Sequence, residues 1–278
     1  MNRFVLSDLL KRALLEDIGR GDLTGEAIAH PDLVAEAVIQ ARQPGRVAGL
    51  HVAAFCFQEL DPSCRVVHEA ADGDEIYAGQ TLARIIGPAR ALLGAERVAL
   101  NFLQRMSGIA TATAQVVAVV QPYGARVVDT RKTVPGLRVL DKYAVRVGGG
   151  LNHRFGLDDG VLIKENHIVL AGGIKQAVDL VRRRIGHMVR VEVEVTDLDE
   201  VKEAQEAGVD AILLDNMDLS HIRQAVLTVN KKCLVEASGG ITPDNAKEVA
   251  SQGVDLISLG WLTHSVPALD LTMKLVAG

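Results

Sequence analysis

The rhythm of apolar and polar positions changes near residue 126, and the change divides the sequence in two. Before it, MNRFVLSDLLKRALLEDIG has the spacing of an amphipathic helix. Residues 33 to 87 then alternate short apolar runs with turn signals at QPG (43 to 45), ADGD (71 to 74) and YAGQ (77 to 80), the mark of a small β-rich unit. Helical spacing predicts one helix from about Ala89 to Arg105 and a second from about Ile109 to Val120. After Arg126, β-branched runs alternate with helical segments, which predicts βα units and a parallel sheet. Strands are expected at 126 to 130, 160 to 164, 189 to 195, 210 to 215, 233 to 238 and 256 to 260. Helices between them include 197 to 208 and 242 to 253, the second capped by Thr242 with Pro243 at its first position. This order favours an α/β fold built on an incomplete parallel barrel, preceded by a smaller N-terminal α+β domain. The domains are expected at 1 to 107 and 108 to 266, with 267 to 278 able to pack back on the first.

The strand VRVEVEVTD carries two carboxylates among valines, and a barrel explains how. Alternate side chains point oppositely, so Val191, Val193 and Val195 face the helices while Glu192 and Glu194 face the lumen. The later strands end in Lys164, Glu194, Asp215, Ser238 with Gly239 and Gly240, and Gly260, roughly 20 to 30 residues apart, one βα repeat each. Any one of these is equally well a polar residue finishing a strand in solvent; five in register argue for a shared mouth.

Charge adds to this picture. The formal net charge of -5 excludes a nucleic-acid or membrane partner held by global basicity, so an anion site must come from a local cluster of cations. Arg131 and Lys132 in DTRKT, and His153 and Arg154 in GGGLNHRFGLDDG before the strand ending in Lys164, supply one. Arginine suits planar carboxylates and lysine supplies a point charge. SGGITPDN and SLGWLTH add small residues, free backbone N–H groups and His264, a setting for a phosphate monoester. Glu194 and Asp215 are then candidates for Mg²⁺, ribose hydroxyls or a developing positive charge, which together describe phosphoribosyl transfer. The three cysteines have no metal-type spacing and read as reduced structural thiols. Without 18 unbroken apolar residues or a signal-peptide pattern, the expected location is the cytoplasm.

The chain also resembles the quinolinate phosphoribosyltransferase family over nearly its full length. The resemblance is carried by LLEDIGRGDLT (14 to 24), ERVALNFLQRMSGIAT (96 to 111), DTRKTVPGLRVLDKYAV (129 to 145), GGGLNHRFGLDDGVLIKENH (148 to 167), VEVEV (191 to 195), LLDN (213 to 216), ASGGI (237 to 241) and LTHS (262 to 265). It implies an enzyme of NAD biosynthesis that joins quinolinate to phosphoribosyl pyrophosphate with Mg²⁺ and works as a homodimer, Arg97 entering the partner's barrel. It further implies that Arg131, Lys132, His153, Arg154 and Lys164, beside Thr130, surround the two carboxylates of quinolinate. Glu194 and Asp215 would face ribose and metal, and Ser238, Gly239, Gly240, Leu259, Gly260, Trp261 and His264 the 5-phosphate. Lys132, Lys164, Glu194 and Asp215 are the implied catalytic set. Trp261 departs from the smaller residue expected there.

Rival readings are a Schiff-base barrel aldolase using Lys164 and a repurposed homologue of the molybdate-transport type. A carrier-domain role for the hairpin near 71 to 85 fails, because no lysine lies between Lys11 and Lys132.

Overall fold

The computed structural model describes residues 2–276 of the chain. Its elements run α1 (Arg3–Ile18), α2 (Leu23–Ile28), β1 (Val34–Ala41), β2 (Gly45–Arg46), α3 (Leu50–Leu60), β3 (Arg65–His68), β4 (Glu75–Ile76), β5 (Thr81–Pro88), α4 (Ala89–Val120), β6 (Arg126–Val128) and α5 (Arg138–Val147). There follow β7 (Val161–Ile163), α6 (Glu165–Ala171), α7 (Ile174–Arg182), β8 (Val191–Val195), α8 (Leu198–Glu206), β9 (Ala211–Asp215), α9 (Leu219–Val229), β10 (Leu234–Ser238), α10 (Ala246–Ala250), β11 (Leu256–Ser258), α11 (Trp261–His264) and β12 (Leu271–Val276). Two compact units result. One holds the described residues up to Ala112, Val134–Gly148 and those from Ser265 on; the other holds Thr113–Thr133 and Gly149–His264.

The first unit is built on an antiparallel sheet in the order β12-β1-β5-β3. Helix α1 turns Leu6, Leu10 and Leu14, spaced four apart, into its core, each burial contributing about 1.5 to 3 kcal/mol. Helix α4 is one element of 32 residues, where spacing predicts two helices. The apparent break at Ser107 and Gly108 is a packing feature. The Ser107 hydroxyl accepts the Ala48 N–H at 3.1 Å, and Gly108 lies so close to the Pro267 carbonyl that a Cβ would sit 2.2 Å from it. Helix α5, whose sequence follows the first barrel strand, groups with this unit. Asp141 on α5 is fully buried and accepts two bonds from the Arg105 guanidinium, at 2.9 and 2.7 Å.

The second unit holds six parallel strands in the order β6-β11-β10-β9-β8-β7. The first strand therefore pairs with the last, every other neighbour is consecutive, and the ladder has a seam between β6 and β7. This is an incomplete barrel, as the order of elements predicts. The strands are one or two residues shorter than the sequence indicates: residues 160, 189–190, 210 and 233 precede their starts, and 129–130, 164 and 259–260 follow their ends. On β8, Val191, Val193 and Val195 are fully buried while Glu192 and Glu194 are half-buried, the alternation expected of strand geometry. Asn245, not the expected Thr242, is the N-cap of α10, which is much shorter than 242 to 253. The Asn245 side chain accepts the Thr242 N–H at 2.8 Å and donates to the Gly240 carbonyl at 3.1 Å, winding TPDN into a turn ahead of the helix.

Candidate active site

Parallel pairing aligns the strand ends. Ser238 lies opposite Asp215 and Leu213 opposite Glu194, so Glu194, Asp215 and Ser238 share one face on three adjacent strands. Lys164, just past β7, donates its ammonium to Glu194 Oε2. Asp215 Oδ2 accepts the Asn216 side-chain amide at 3.0 Å, and the Asn216 N–H donates to the Ser238 carbonyl at 3.0 Å. Gly239 sits against this clamp with φ at 90°, and a Cβ there would lie 2.3 Å from Asn216 Oδ1, so backbone conformation and space both require glycine.

The loop after β6 is fixed on the same unit. Thr130 Oγ1 accepts the Lys132 N–H at 3.0 Å, and the Lys132 carbonyl accepts the Thr263 hydroxyl at 2.8 Å. The Lys132 stem crosses Gly260 beside His264: a Cβ at Gly260 would lie 2.8 Å from Lys132 Cδ and 3.4 Å from the imidazole. Glycine here makes room for a lysine. Leu259 is buried, with its N–H already donated to the Val128 carbonyl at 3.1 Å. Trp261 is half-buried at the start of α11, and Gly240 is exposed.

His153 and Arg154 complete the cluster. Asp129, fully buried, accepts the His153 N–H at 2.8 Å and the Asn152 amide at 2.6 Å. His153 Nδ1 accepts the Arg154 N–H at 2.8 Å, and Nε2 lies 2.9 Å from Glu192 Oε2. The Arg154 guanidinium donates to the Gly160 carbonyl at 3.0 Å. Burial first, and then the charge of Arg131, push Arg154 below its ordinary value, against the pull of Glu192. Two guanidinium groups held near each other in a partly desolvated place are arranged for an anion. Beneath them Glu236 is almost wholly buried, 1% exposed.

A cavity of about 420 Å³ lies toward the opposite end of the strands, where Arg126, Val191, Ala211, Leu234 and Leu256 begin them. His153, Arg154, Glu192 and Glu236 also line it, but Lys164, Glu194, Asp215, Ser238 and Gly260 do not. The chemistry-bearing residues sit at the carboxyl ends, where parallel barrels place their sites, so that mouth is the candidate. Arg97 is exposed on α4 in the first unit.

Sequence reasoning assigns no role to Asn152, Asp129, Asn216, Thr263 or Glu236. Asp129, Asn152, Asn216 and Thr263 lie within stretches that resemble the family, and Glu236 shares a strand face with Ser238 by the period of two, which was the available signal.

Residues 22–107 match the N-terminal domain model of quinolinate phosphoribosyl transferase, and residues 109–274 match the C-terminal domain model. The chain belongs to this family. It is 45% identical over 273 residues to a protein of Bacillus subtilis named probable nicotinate-nucleotide pyrophosphorylase [carboxylating], covering 98% of this chain and 94% of that one. It is 40% identical to a mitochondrial quinolinate phosphoribosyltransferase [decarboxylating] of Nicotiana tabacum, covering 97% and 82%. The crystal structure of NadC from Streptococcus pyogenes superposes with a TM-score of 0.96 at 41% identity, covering 99% of this chain and 98% of that one. The family's C-terminal domain model spans every strand end described above.

Proposed function

We propose that the protein transfers the phosphoribosyl group of phosphoribosyl pyrophosphate to quinolinate and decarboxylates the adduct, yielding nicotinate mononucleotide, diphosphate and CO₂ in NAD biosynthesis. The observation that carries this reading is the pairing of opposite charges on one unit: Arg131 close enough to depress Arg154, and the Lys164–Glu194 ion pair on the strand-end face that also holds Asp215 and Ser238.

In this reading Arg131, Lys132, His153, Arg154 and Lys164 take up the diacid, with Thr130 fixing the Lys132 backbone. Ser238, Gly239, Gly240, Gly260, His264 and the Trp261 region receive the 5-phosphate, with Leu259 packed behind them. Glu194 and Asp215 face the ribose. Their carboxylates are hard oxygen donors on neighbouring strands, the kind Mg²⁺ accepts while keeping water and substrate phosphate in its shell, so the residues present fit that ion. When bound, it neutralises charge on the diphosphate. The chain's own groups orient the ring nitrogen of quinolinate toward the sugar carbon, and a C–N bond forms as the C–O bond to diphosphate breaks. The Lys164 ammonium, delivered between Glu194 and the diacid, balances the charge of both. Loss of the 2-carboxylate as CO₂ leaves an electron pair at C2, stabilised by the adjacent cationic nitrogen, and C2 then takes up a proton. Lys164 is held here as one half of an ion pair, unlike the desolvated free amine a Schiff-base aldolase requires.

The exposed position of Arg97 supports a homodimer in which it reaches the partner's site. Mixing Arg97→Ala with Lys164→Ala subunits tests this: recovered activity supports shared sites, and none opposes them. Among the described residues no helix is long and apolar enough to cross a membrane, in keeping with a cytoplasmic enzyme.

The deciding assay offers purified protein quinolinate or nicotinate with phosphoribosyl pyrophosphate and Mg²⁺. A missing carboxylate forfeits about 1.5 to 3 kcal/mol per charged hydrogen bond to these cations, so quinolinate should be favoured by at least about tenfold in kcat/KM. Equal turnover would reject the pocket.

A further inference from the structure

Asn216 follows β9 in a backbone conformation that side chains seldom adopt. Its φ is 53°, in the left-handed region, and among the described residues only Asn230 and Lys231 share a positive φ without being glycine. Those two have an ordinary reason: Asn230 is the C-cap of α9, and Lys231 follows it in the turn. Asn216 has no such reason. It lies two residues before Asp218, the N-cap of α9, and it is exposed, so neither helix capping nor core packing explains it.

Its contacts do. Asn216 Nδ2 donates to Asp215 Oδ2 at 3.0 Å, and Oδ1 is turned toward Gly239, where a Cβ would lie 2.3 Å from it. The backbone N–H donates to the Ser238 carbonyl at 3.0 Å, adding one bond to the ladder in which Ser238 pairs with Asp215. One residue therefore touches both the carboxylate that ends β9 and the turn that leaves β10. Asn245 fixes the same turn from its other side, donating to the Gly240 carbonyl at 3.1 Å. An exposed amide of this kind adds little to folding. Holding a carboxylate and a phosphate-sized turn in one geometry matters when a single ligand must engage both, because that ordering is then complete before the ligand arrives.

We propose that Asn216 is a positioning residue that holds Asp215 and the turn at Ser238 and Gly239 together for the ribose 5-phosphate part of phosphoribosyl pyrophosphate. The proposal rests on the functional reading above for the identity of that sugar phosphate. Asn216 acts through Asp215 and Gly239, and it has no part in holding the diacid. Its effect therefore falls on one substrate.

The experiment compares Asn216→Gly and Asn216→Asp with wild type by steady-state kinetics, varying the two substrates separately. Glycine keeps the left-handed backbone and the N–H to Ser238 while deleting the side chain, and aspartate keeps the shape while deleting the amide donor. In both variants KM for phosphoribosyl pyrophosphate should rise by about tenfold or more, with KM for quinolinate within about twofold of wild type. In an Asp215→Ala background, Asn216→Gly should raise KM for phosphoribosyl pyrophosphate by no more than about threefold further, because the carboxylate it holds is gone. An unchanged KM for phosphoribosyl pyrophosphate in either variant, a parallel rise in both KM values, or the full further loss without Asp215 would overturn the proposal. A second measurement needs neither turnover nor metal: calorimetry with ribose 5-phosphate in Mg²⁺-free buffer. Both variants should bind it about tenfold or more weakly than wild type while their thermal unfolding midpoints stay within about 2 °C; binding equal to wild type would overturn the proposal. A wild-type protein that binds ribose 5-phosphate in this Asn216-dependent way yet does not turn over quinolinate would sink the functional reading and leave the positioning role standing.

Discussion

Asp141 and Asp72 of the first unit are bonded through both carboxylate oxygens, whereas Glu236 of the second unit is not. In the first unit Asp141 receives both arms of Arg105 and the Val134 N–H at 3.2 Å. Asp72 receives the Leu50 N–H at 2.9 Å and the Tyr143 hydroxyl at 2.7 Å, with His51 Nδ1 at 3.3 Å. In the second unit Glu236 has one buried oxygen without a partner and another carboxylate for a neighbour. The bonded carboxyls Asp72 and Asp141 tie α3, α4 and α5 together, and Asp129 in the second unit is likewise buried and bonded, whereas Glu236 keeps one oxygen without a partner. The difference lies in cost: a buried carboxyl with its partners is stabilised by them, whereas the desolvation of Glu236 is only partly offset.

The largest effect is expected of Arg105→Ala, which strands the fully buried Asp141 carboxylate. It should lower unfolding free energy by about 3 to 5 kcal/mol in urea titrations, because removing one partner of a buried pair leaves an uncompensated charge. Lys164→Ala should act in reverse. Its exposed ammonium contributes little to folding, so stability should change by no more than about 0.5 kcal/mol, while kcat/KM drops by about 100-fold or more in the quinolinate assay. Smaller is Tyr143→Phe, which deletes one bond to Asp72 and should cost about 1.5 kcal/mol by the same titration.

The finest test is pH. Burial raises the Asp72 carboxyl, but the bonds from His51, Tyr143 and the Leu50 and Gly49 backbones outweigh it and hold the group at about 2, below its ordinary 3.8. Its stabilising contribution is therefore present above 3.8 and lost as pH falls toward 2. Glu236 has the opposite sign: raised from 4.5 to about 7, it binds its proton more tightly when folded, so its contribution is full below 4.5 and lost as pH rises to about 7. Denaturation at a series of pH values should show Glu236→Gln flattening the upper window while the acid limb stays as in wild type.

Much of this was readable from residue types alone. A period of two on VEVEV, with polar residues finishing successive β-branched runs, locates the carboxyl-end mouth, and Lys164, Glu194, Asp215 and Ser238 follow from it. What stayed hidden depends on contacts distant in sequence. Ser107 and Gly108 read as a helix break because their partners, Ala48 and the Pro267 carbonyl, cannot be inferred locally. Thr242 looks like a cap because threonine before proline commonly is one, yet the Asn245 side chain claims its N–H. Glu236 is hidden for a different reason: in CLVEAS it looks like one polar residue in a buried strand, and only pairing with β9 and β11 shows that it projects beside Glu192 and His153.

The pairing of β12 with β1, Ile39 opposite Met273, carries a consequence for synthesis. The ribosome makes one edge of that ladder early and its complement only after all the barrel strands have been translated. The barrel can therefore mature first, while the domain begun before it waits with β1 uncovered on one side, open to mispairing or chaperone capture.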